Sequence, residues 1–302
     1  SIIMKKKNYF SGVFYTVLAS LWWGILGVIY FKFVSFANPI ELTVHRTVWT
    51  AFLLIISTSF FSKWGEFYLI IKKKRNLVIL FTSGVLIMIN WLTWIYAVSV
   101  NKLLDASLGY YIFPIFSVFF GIIFLKEQYN RNKIISIVLV FISILYLLFY
   151  YNAIPWIGLT VAITFSLYTL IRKKINISSD LGLMIETLML TPFAILAFLF
   201  IQDKGLNIFS TSEPLLSFYL FWAGAMTLIP LFLYTKGFGL LGIGASSMIF
   251  FLAPTAQFLL GVFYFNEPID LHKIISFFII WTAVIIYLNE IKSHIGNYTD
   301  RV

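Results

Sequence analysis

The chain is patterned as long apolar runs divided by short polar connections. Read between charges and turn residues, the runs predict helices near 12 to 31, 40 to 61, 77 to 98, 105 to 125, 133 to 151, 153 to 171, 182 to 201, 217 to 236, 243 to 265 and 272 to 289. A run of about 20 residues just crosses a hydrocarbon core about 30 Å thick. The runs are rich in Phe, Ile and Leu and lack the period-two alternation of barrel strands. Every amide in hydrocarbon must also bond within its own segment, so helices are the expected form. The predicted fold class is all-α, a polytopic membrane protein with ten transmembrane helices.

Internal similarity organises these runs further. Adding 140 to a residue number carries Gly84 to Gly224, Ser107 to Ser247, Pro114 to Pro254, Gly121 to Gly261, Glu127 to Glu267, and Lys133-Ile134-Ile135-Ser136 to Lys273-Ile274-Ile275-Ser276. The register divides the chain into five-helix halves, residues 1–151 and 152–302. Five is odd, so the second half starts on the opposite side of the bilayer and the repeat is inverted. Inverted halves suit a carrier that exposes one central site to each side in turn.

Charge places the ends. Alternate assignment of loops puts 17 of the 22 Lys and Arg residues on one face, including Lys5 to Lys7, Lys63, Lys72 to Arg75, Arg172 to Lys174 and Arg301. The other face receives only Lys32, Lys102, Lys204 and Lys273, so both termini are expected in the cytoplasm. The first run is too long for a signal peptide and is expected to be retained, with Met4 as the natural start and Ser1 to Ile3 an added remnant.

Composition agrees: 61% of residues are hydrophobic, 11% are charged and mean hydropathy is +0.94, which leaves too little polar surface for a soluble domain. The net charge of +10 falls mostly in short loops, where it reads as a topology signal rather than a nucleic-acid surface. With no cysteine and only His45, His272 and His294, metal chemistry is not expected. No phosphate-cradling glycine loop is present, so no cofactor or internal nucleotide hydrolysis is expected, and ion coupling, by a proton for instance, remains open.

Several motifs then carry a resemblance: Val44-His45-Arg46 with Trp49, Ile89-Asn90-Trp91, the run from Asp105 to Pro114, Glu186 within Ile185 to Leu190, Pro230, the run from Leu252 to Pro268, and Trp281. They resemble the RarD proteins, which are similar to the EamA permeases of the drug/metabolite transporter superfamily, and the likeness covers nearly the whole chain. It implies a carrier of the bacterial inner membrane, commonly an exporter of amino acids, metabolites or drugs, with a central cavity between helices one to four and six to nine. Asp105 stands where the family leads us to expect Glu, and Phe113 where it leads us to expect Asn.

Ionisable groups inside a span cost about 2.5 to 3.5 kcal/mol each on insertion scales and are functional candidates by default. Here these are His45, Arg46 and Glu186. Arg46 and Glu186 are equivalent under the 140-residue offset. Each is expected about 9 Å deep from opposite faces, leaving their backbones roughly 12 Å apart along the membrane normal. A salt bridge, separate roles, and snorkelling to the headgroups all fit that estimate. In separate roles, Arg46 holds a substrate carboxylate, and Glu186 holds a substrate amine or a coupling proton. Glu41 and His45 share a helix face, as a proton relay or as an interfacial ion pair. Asn90, Trp91 and Trp94 suit the wall of a binding cavity or an interfacial belt. Tyr110, Tyr111 and Gln257 add polar groups beside Pro114 and Pro254, which are matched hinge candidates or packing devices. The expected partners are a small-molecule substrate and the lipid bilayer. Export is the leading reading and uptake or exchange the alternative. A channel would need a continuous polar row, an enzyme would need clustered acid, base or nucleophile groups that the chain does not show, and a membrane scaffold without transport would need a central cavity walled off from both sides and lacking such groups.

Overall fold

The computed structural model describes residues 2–241 and 243–299, with side chains described for all of these except residues 2–7, 238, 243–245 and 294–299. The side chains of the topology cations Lys5, Lys6 and Lys7 and of His294, together with Ser1 and Arg301, thus lie outside the described set. The described residues are mostly helical and contain no strand.

In chain order the helices are α1 (Ile2–Leu21), a π-helical turn (Trp22–Leu26), α2 (Gly27–Phe33), α3 (Pro39–Phe60), α4 (Trp64–Ile71), α5 (Lys74–Ser99), α6 (Leu103–Leu125) and α7 (Arg131–Tyr151). There follow α8 (Trp156–Lys173), α9 (Ser179–Asp203), α10 (Pro214–Phe221), α11 (Ala223–Leu241), α12 (Ile243–Phe250), α13 (Leu252–Leu259), a second π-helical turn (Leu260–Tyr264) and α14 (Leu271–Thr299). Among the described residues, nine helical segments are long and apolar enough to cross a membrane. They match every predicted run except the sixth. That run corresponds to α8, an 18-residue helix ending on Arg172 and Lys173, about 27 Å long at 1.5 Å per residue.

The chain forms two compact units, and each draws on both sides of residue 151. The first comprises residues 1–25, 101–166 and 233–302, and the second residues 26–100 and 167–232. In the first unit α7 packs along α14, and α6 packs on α13, α7 and α14. Its apolar core includes Leu104, Tyr111, Ile115, Val140, Phe277 and Ile280. In the second unit α3 packs along α9, and α5 lies against both.

Several local details recur at the 140-residue offset. Lys126 and Asn266 both adopt left-handed backbone, with φ of 54° and 50°. The following Glu127 and Glu267 amides donate back to the carbonyls of Gly121 and Gly261, at 3.2 and 2.8 Å. Each bond reaches six residues back and satisfies a carbonyl that the end of the helix leaves without a partner. Between α7 and α14, Ser136 Oγ donates to Ala283 O at 3.2 Å, and Ser143 Oγ donates to Ser276 O at 3.1 Å. Residues 136 and 276, like 143 and 283, are offset partners, so the two bonds are reciprocal in the manner of a two-fold contact. In the second unit Gly84 lies against Glu186 and Leu190, while its offset partner Gly224 lies against Trp49 and Thr50. A methyl group at Gly224 would sit 2.7 Å from the Trp49 carbonyl carbon, so the small residue is what lets α11 approach α3.

Candidate functional site

Helix α3 supplies the densest polar cluster. Asn38 caps it by accepting the Glu41 amide at 2.9 Å, and Pro39 occupies the first turn, where its missing N–H is not needed. Every residue from Glu41 to Thr47 is buried. Thr43 and Thr47 return their hydroxyls to the carbonyls four residues back, which satisfies them without a tertiary partner.

Arg46 projects into an aromatic cage within the second unit. Its Cζ lies 4.4 Å from the Trp91 ring centroid, 5.1 Å from Phe31 and 5.9 Å from Trp94. Its Nε donates to Thr227 Oγ1 at 2.9 Å, and Thr227 in turn donates to Ala223 O. Arg remains charged in proteins, and aromatic faces are among the few apolar surfaces that attract such a cation. Beside it, Trp94 Nε1 is buried without a hydrogen-bond partner among the described residues, as is Thr50 Oγ1 one turn along α3. A buried donor left unmade costs on the order of 1–3 kcal/mol, so such atoms mark places where a ligand acceptor would be stabilising.

His45 faces a separate network. Trp49 Nε1 donates to His45 Nδ1 at 3.1 Å, which places the imidazole proton on Nε2, 3.4 Å from Glu41 Oε1. The Glu41 carboxylate is fully buried and also accepts the amides of Ile208 and Phe209, at 3.0 and 2.8 Å. The pair therefore ties the connection between α9 and α10 onto the start of α3.

Glu186, on α9, makes a third cluster. Ser83 Oγ donates to its Oε1 at 2.6 Å, Tyr168 OH to its Oε2 at 3.1 Å, and Arg172 Nε lies 3.4 Å from Oε1. The carboxylate is fully buried and the Arg172 side chain nearly so. Gly182, one turn before Glu186, opens the slot for the guanidinium: a methyl group there would stand 2.0 Å from both Nη atoms. Glu186 thus takes Arg172 as its ion-pair partner, while Arg46 bonds to Thr227.

The structure brings together Arg46, Trp91 and Trp94, and buries Asn90 on the same helix α5. Other sequence candidates lie in the first unit. Tyr111 OH shares a 2.7 Å hydrogen bond with Thr255 Oγ1, Tyr110 packs on Phe113 and Phe165, and Gln257 Nε2 donates to Trp23 O at 3.5 Å. Pro114 sits inside an uninterrupted α6, whereas Pro254 opens α13 just after the break at Phe251 that separates it from α12. Phe31, Ser83, Tyr168, Arg172 and Thr227 were not among the sequence candidates. Arg172 carried one usable signal, its place one turn after Tyr168 on the last turn of α8.

Outside these clusters, Glu267 accepts the amides of Leu103 and Leu104 at 2.6 and 2.9 Å, capping α6. Burial raises its carboxyl above the ordinary range against the pull of these two amides, with Asp105 adding to the rise and Lys273 opposing it.

Comparison with known proteins adds lineage to this geometry. Residues 10–149 match the EamA-like transporter family. The chain is 34% identical to the uncharacterized transporter YojE of Bacillus subtilis, across 91% of this chain and 93% of that one. It is 31% identical to protein RarD of Escherichia coli, across 95% and 97% of the two chains. A solved crystal structure with 16% sequence identity superposes with a TM-score of 0.56, covering 91% of this chain and 96% of the other.

Proposed function

The chain belongs to the EamA-like transporter family, and from that premise we propose a secondary transporter of the bacterial inner membrane that exports small amphipathic carboxylates, amino acids among them, by alternating access. The observation that carries the substrate class is the setting of Arg46, a permanent cation among aromatic faces with the unpartnered Trp94 N–H in the same wall. A carboxylate matches the guanidinium in charge and in hydrogen-bond geometry. The rings would take the apolar or cationic remainder of the substrate. Bound substrate neutralises a charge that is costly in a membrane interior, which links occupancy to the ease of moving the site.

Glu186 is assigned the coupling proton. It lies in a different cluster from Arg46, held by two hydroxyls and one guanidinium, so its charge can change without displacing a substrate on Arg46. Ten crossings, with α8 as the sixth, and cytoplasmic termini complete the reading. Support for an inverted repeat comes from the reciprocal serine bonds of α7 and α14 and from the matched left-handed residues Lys126 and Asn266.

The test uses purified protein in liposomes and a panel of amino acids and their decarboxylated amines. The carboxylates are expected to show saturable flux and counterflow, and the amines none. Arg46→Ala should abolish flux, and Arg46→Lys should not restore it, because an ammonium lacks the planar fork. Trp94→Phe, which keeps the ring and removes the N–H, should raise KM by roughly tenfold for one lost hydrogen bond. Glu186→Gln should retain counterflow and lose accumulation driven by a pH gradient. Unchanged carboxylate flux in Arg46→Ala would refute the assignment.

A further inference from the structure

A cleft of about 300 Å³ lies at one end of the second unit, lined by Lys73, Arg75 and Asn76 at the start of α5 and by Lys174, Ile175, Asn176 and Ile177 after α8. It shares no residue with the Arg46, His45 or Glu186 clusters. Two separate chain segments thus place three cations and two side-chain amides around one opening. None of Lys73, Arg75 and Lys174 has an ion-pair partner among the described residues. An acid is available on this unit, but Asp180 is engaged by Lys63 at 2.7 Å.

The cations also work against the helix they precede. Helix α5 is 26 residues long, has no acid in its first turn and no side-chain cap, and starts within the run Lys72, Lys73, Lys74 and Arg75. The positive end of the helix dipole and four adjacent cations repel one another. An anion in the cleft would relieve that repulsion, and its oxygens would find the Lys73 ammonium and Arg75 guanidinium on one wall and the Lys174 ammonium and Asn176 amide on the other, while Asn76 Nδ2 donates one hydrogen to Ile70 O at 3.1 Å and keeps its second. Charge of one sign, a concave shape and neutral amide donors together describe a phosphate site rather than a carboxylate clamp.

We infer that this cleft binds a phosphate group, supplied by the headgroup of an anionic phospholipid or by a soluble phosphate compound. The neighbouring helix favours the lipid. Helix α4 has eight residues, about 12 Å, too short to span, and it exposes Tyr68 and Leu69 while leading directly into Lys72 and Lys73. Such a helix lies at the headgroup level, and basic pockets at that level are where anionic headgroups settle. Acyl chains of a lipid held by its phosphate would then run beside the exposed face of α4.

The test is native mass spectrometry of the full chain released from detergent, titrated with phosphatidylglycerol and with phosphatidylcholine. The wild type is expected to retain phosphatidylglycerol at roughly 10- to 100-fold lower concentration. Replacing Lys73→Gln, Arg75→Gln and Lys174→Gln together should erase that preference. The control set Lys126→Gln, Arg131→Gln and Lys133→Gln, which removes three cations elsewhere, should leave it. Orthophosphate that displaces phosphatidylglycerol at millimolar concentration, and binds alone as tightly, assigns the site to soluble phosphate compounds. Failure to displace assigns it to lipid. Asn176→Asp, which adds a single carboxylate to an exposed position, should weaken retention in the same direction if the triple variant does not fold. Equal retention of the two lipids by the wild type, or a preference that survives both the cleft triple and Asn176→Asp, overturns the proposal.

Discussion

Substituting Gly182→Ala tests whether the Glu186 cluster is held by charge. The new methyl group would lie 2.0 Å from Nη1 and Nη2 of Arg172 and 2.2 Å from Cζ, well inside any van der Waals contact, so the guanidinium must leave. Its route is open, because Arg172 is the penultimate residue of α8 and can swing toward solvent beside Lys173 and Lys174. Glu186 cannot follow. It stays fully buried with only Ser83 and Tyr168 as donors. Leaving one member of a buried pair uncompensated costs about 3–5 kcal/mol. Replacing glycine by alanine inside a helix otherwise gains up to about 1 kcal/mol. The net expectation is a loss of roughly 2–4 kcal/mol, seen as a fall of several degrees in the unfolding midpoint of the detergent-purified protein. In a Glu186→Gln background no buried carboxylate awaits its cation, so the same Gly182→Ala change should be neutral or slightly stabilising. The four proteins form a double-mutant cycle. An equal loss in both backgrounds would mean that Gly182 matters only for the packing of α9, and the charge argument would fail.

Other consequences can be checked independently. Glu41→Gln removes the charge that holds the Ile208 and Phe209 amides, and hydrogen exchange at those two amides should accelerate by roughly tenfold to 100-fold; unchanged protection would contradict the anchoring role. The hydroxyls of Ser143 and Ser276 also share a hydrogen bond of 2.5 Å, so Ser143→Ala and Ser276→Ala should each cost little, with a coupling of about 0.6 kcal/mol and at most about 1.7, as for other hydrogen bonds between membrane helices; additive losses would refute that hydroxyl–hydroxyl bond. Glu267 titrates with a raised folded value, so its protonated form suits the native state better. Its contribution to stability is full below the ordinary carboxylate pKa of about 4.3 and is lost as pH rises through the raised value. Melting curves across that range should therefore decline with pH more steeply in the wild type than in Glu267→Gln, and identical slopes would argue against it.

Sequence patterning made the spans legible because run length and hydrocarbon thickness are the same constraint. It lost α4, whose eight residues between Lys63 and Lys72 are too few to register as a run against the charges around them. It also identified Arg46, Trp91 and Trp94 as candidates, since an ionised group or an amphipathic ring inside a span must be accounted for. Their meeting depends on how α3 and α5 pack, and Phe31 and Thr227 complete the cage with side chains that look ordinary in an apolar run. Arg172 was assigned to a loop because charge counting considers only distance from an apolar segment. The turn at 174–178 between α8 and α9 is what lets the Arg172 guanidinium reach Glu186. The spacing of Glu41 and His45 was visible as one helix face, whereas the backbone amides that saturate Glu41 come from 167 residues downstream and carry no side-chain signature.

The division of the chain between the two units sets an order for biosynthesis. The second unit has all its segments once residue 232 has left the ribosome, but the first needs α14 to cover α7. At translation rates of about 5–20 residues per second, the 67 residues from 233 to the end of α14 occupy roughly 3–13 seconds. During that interval Ser136 and Ser143 of a nascent chain face lipid without the carbonyls of Ala283 and Ser276. That window is when an insertase or a membrane protease would meet this protein, and a chain stopped at residue 232 would leave α7 without α14.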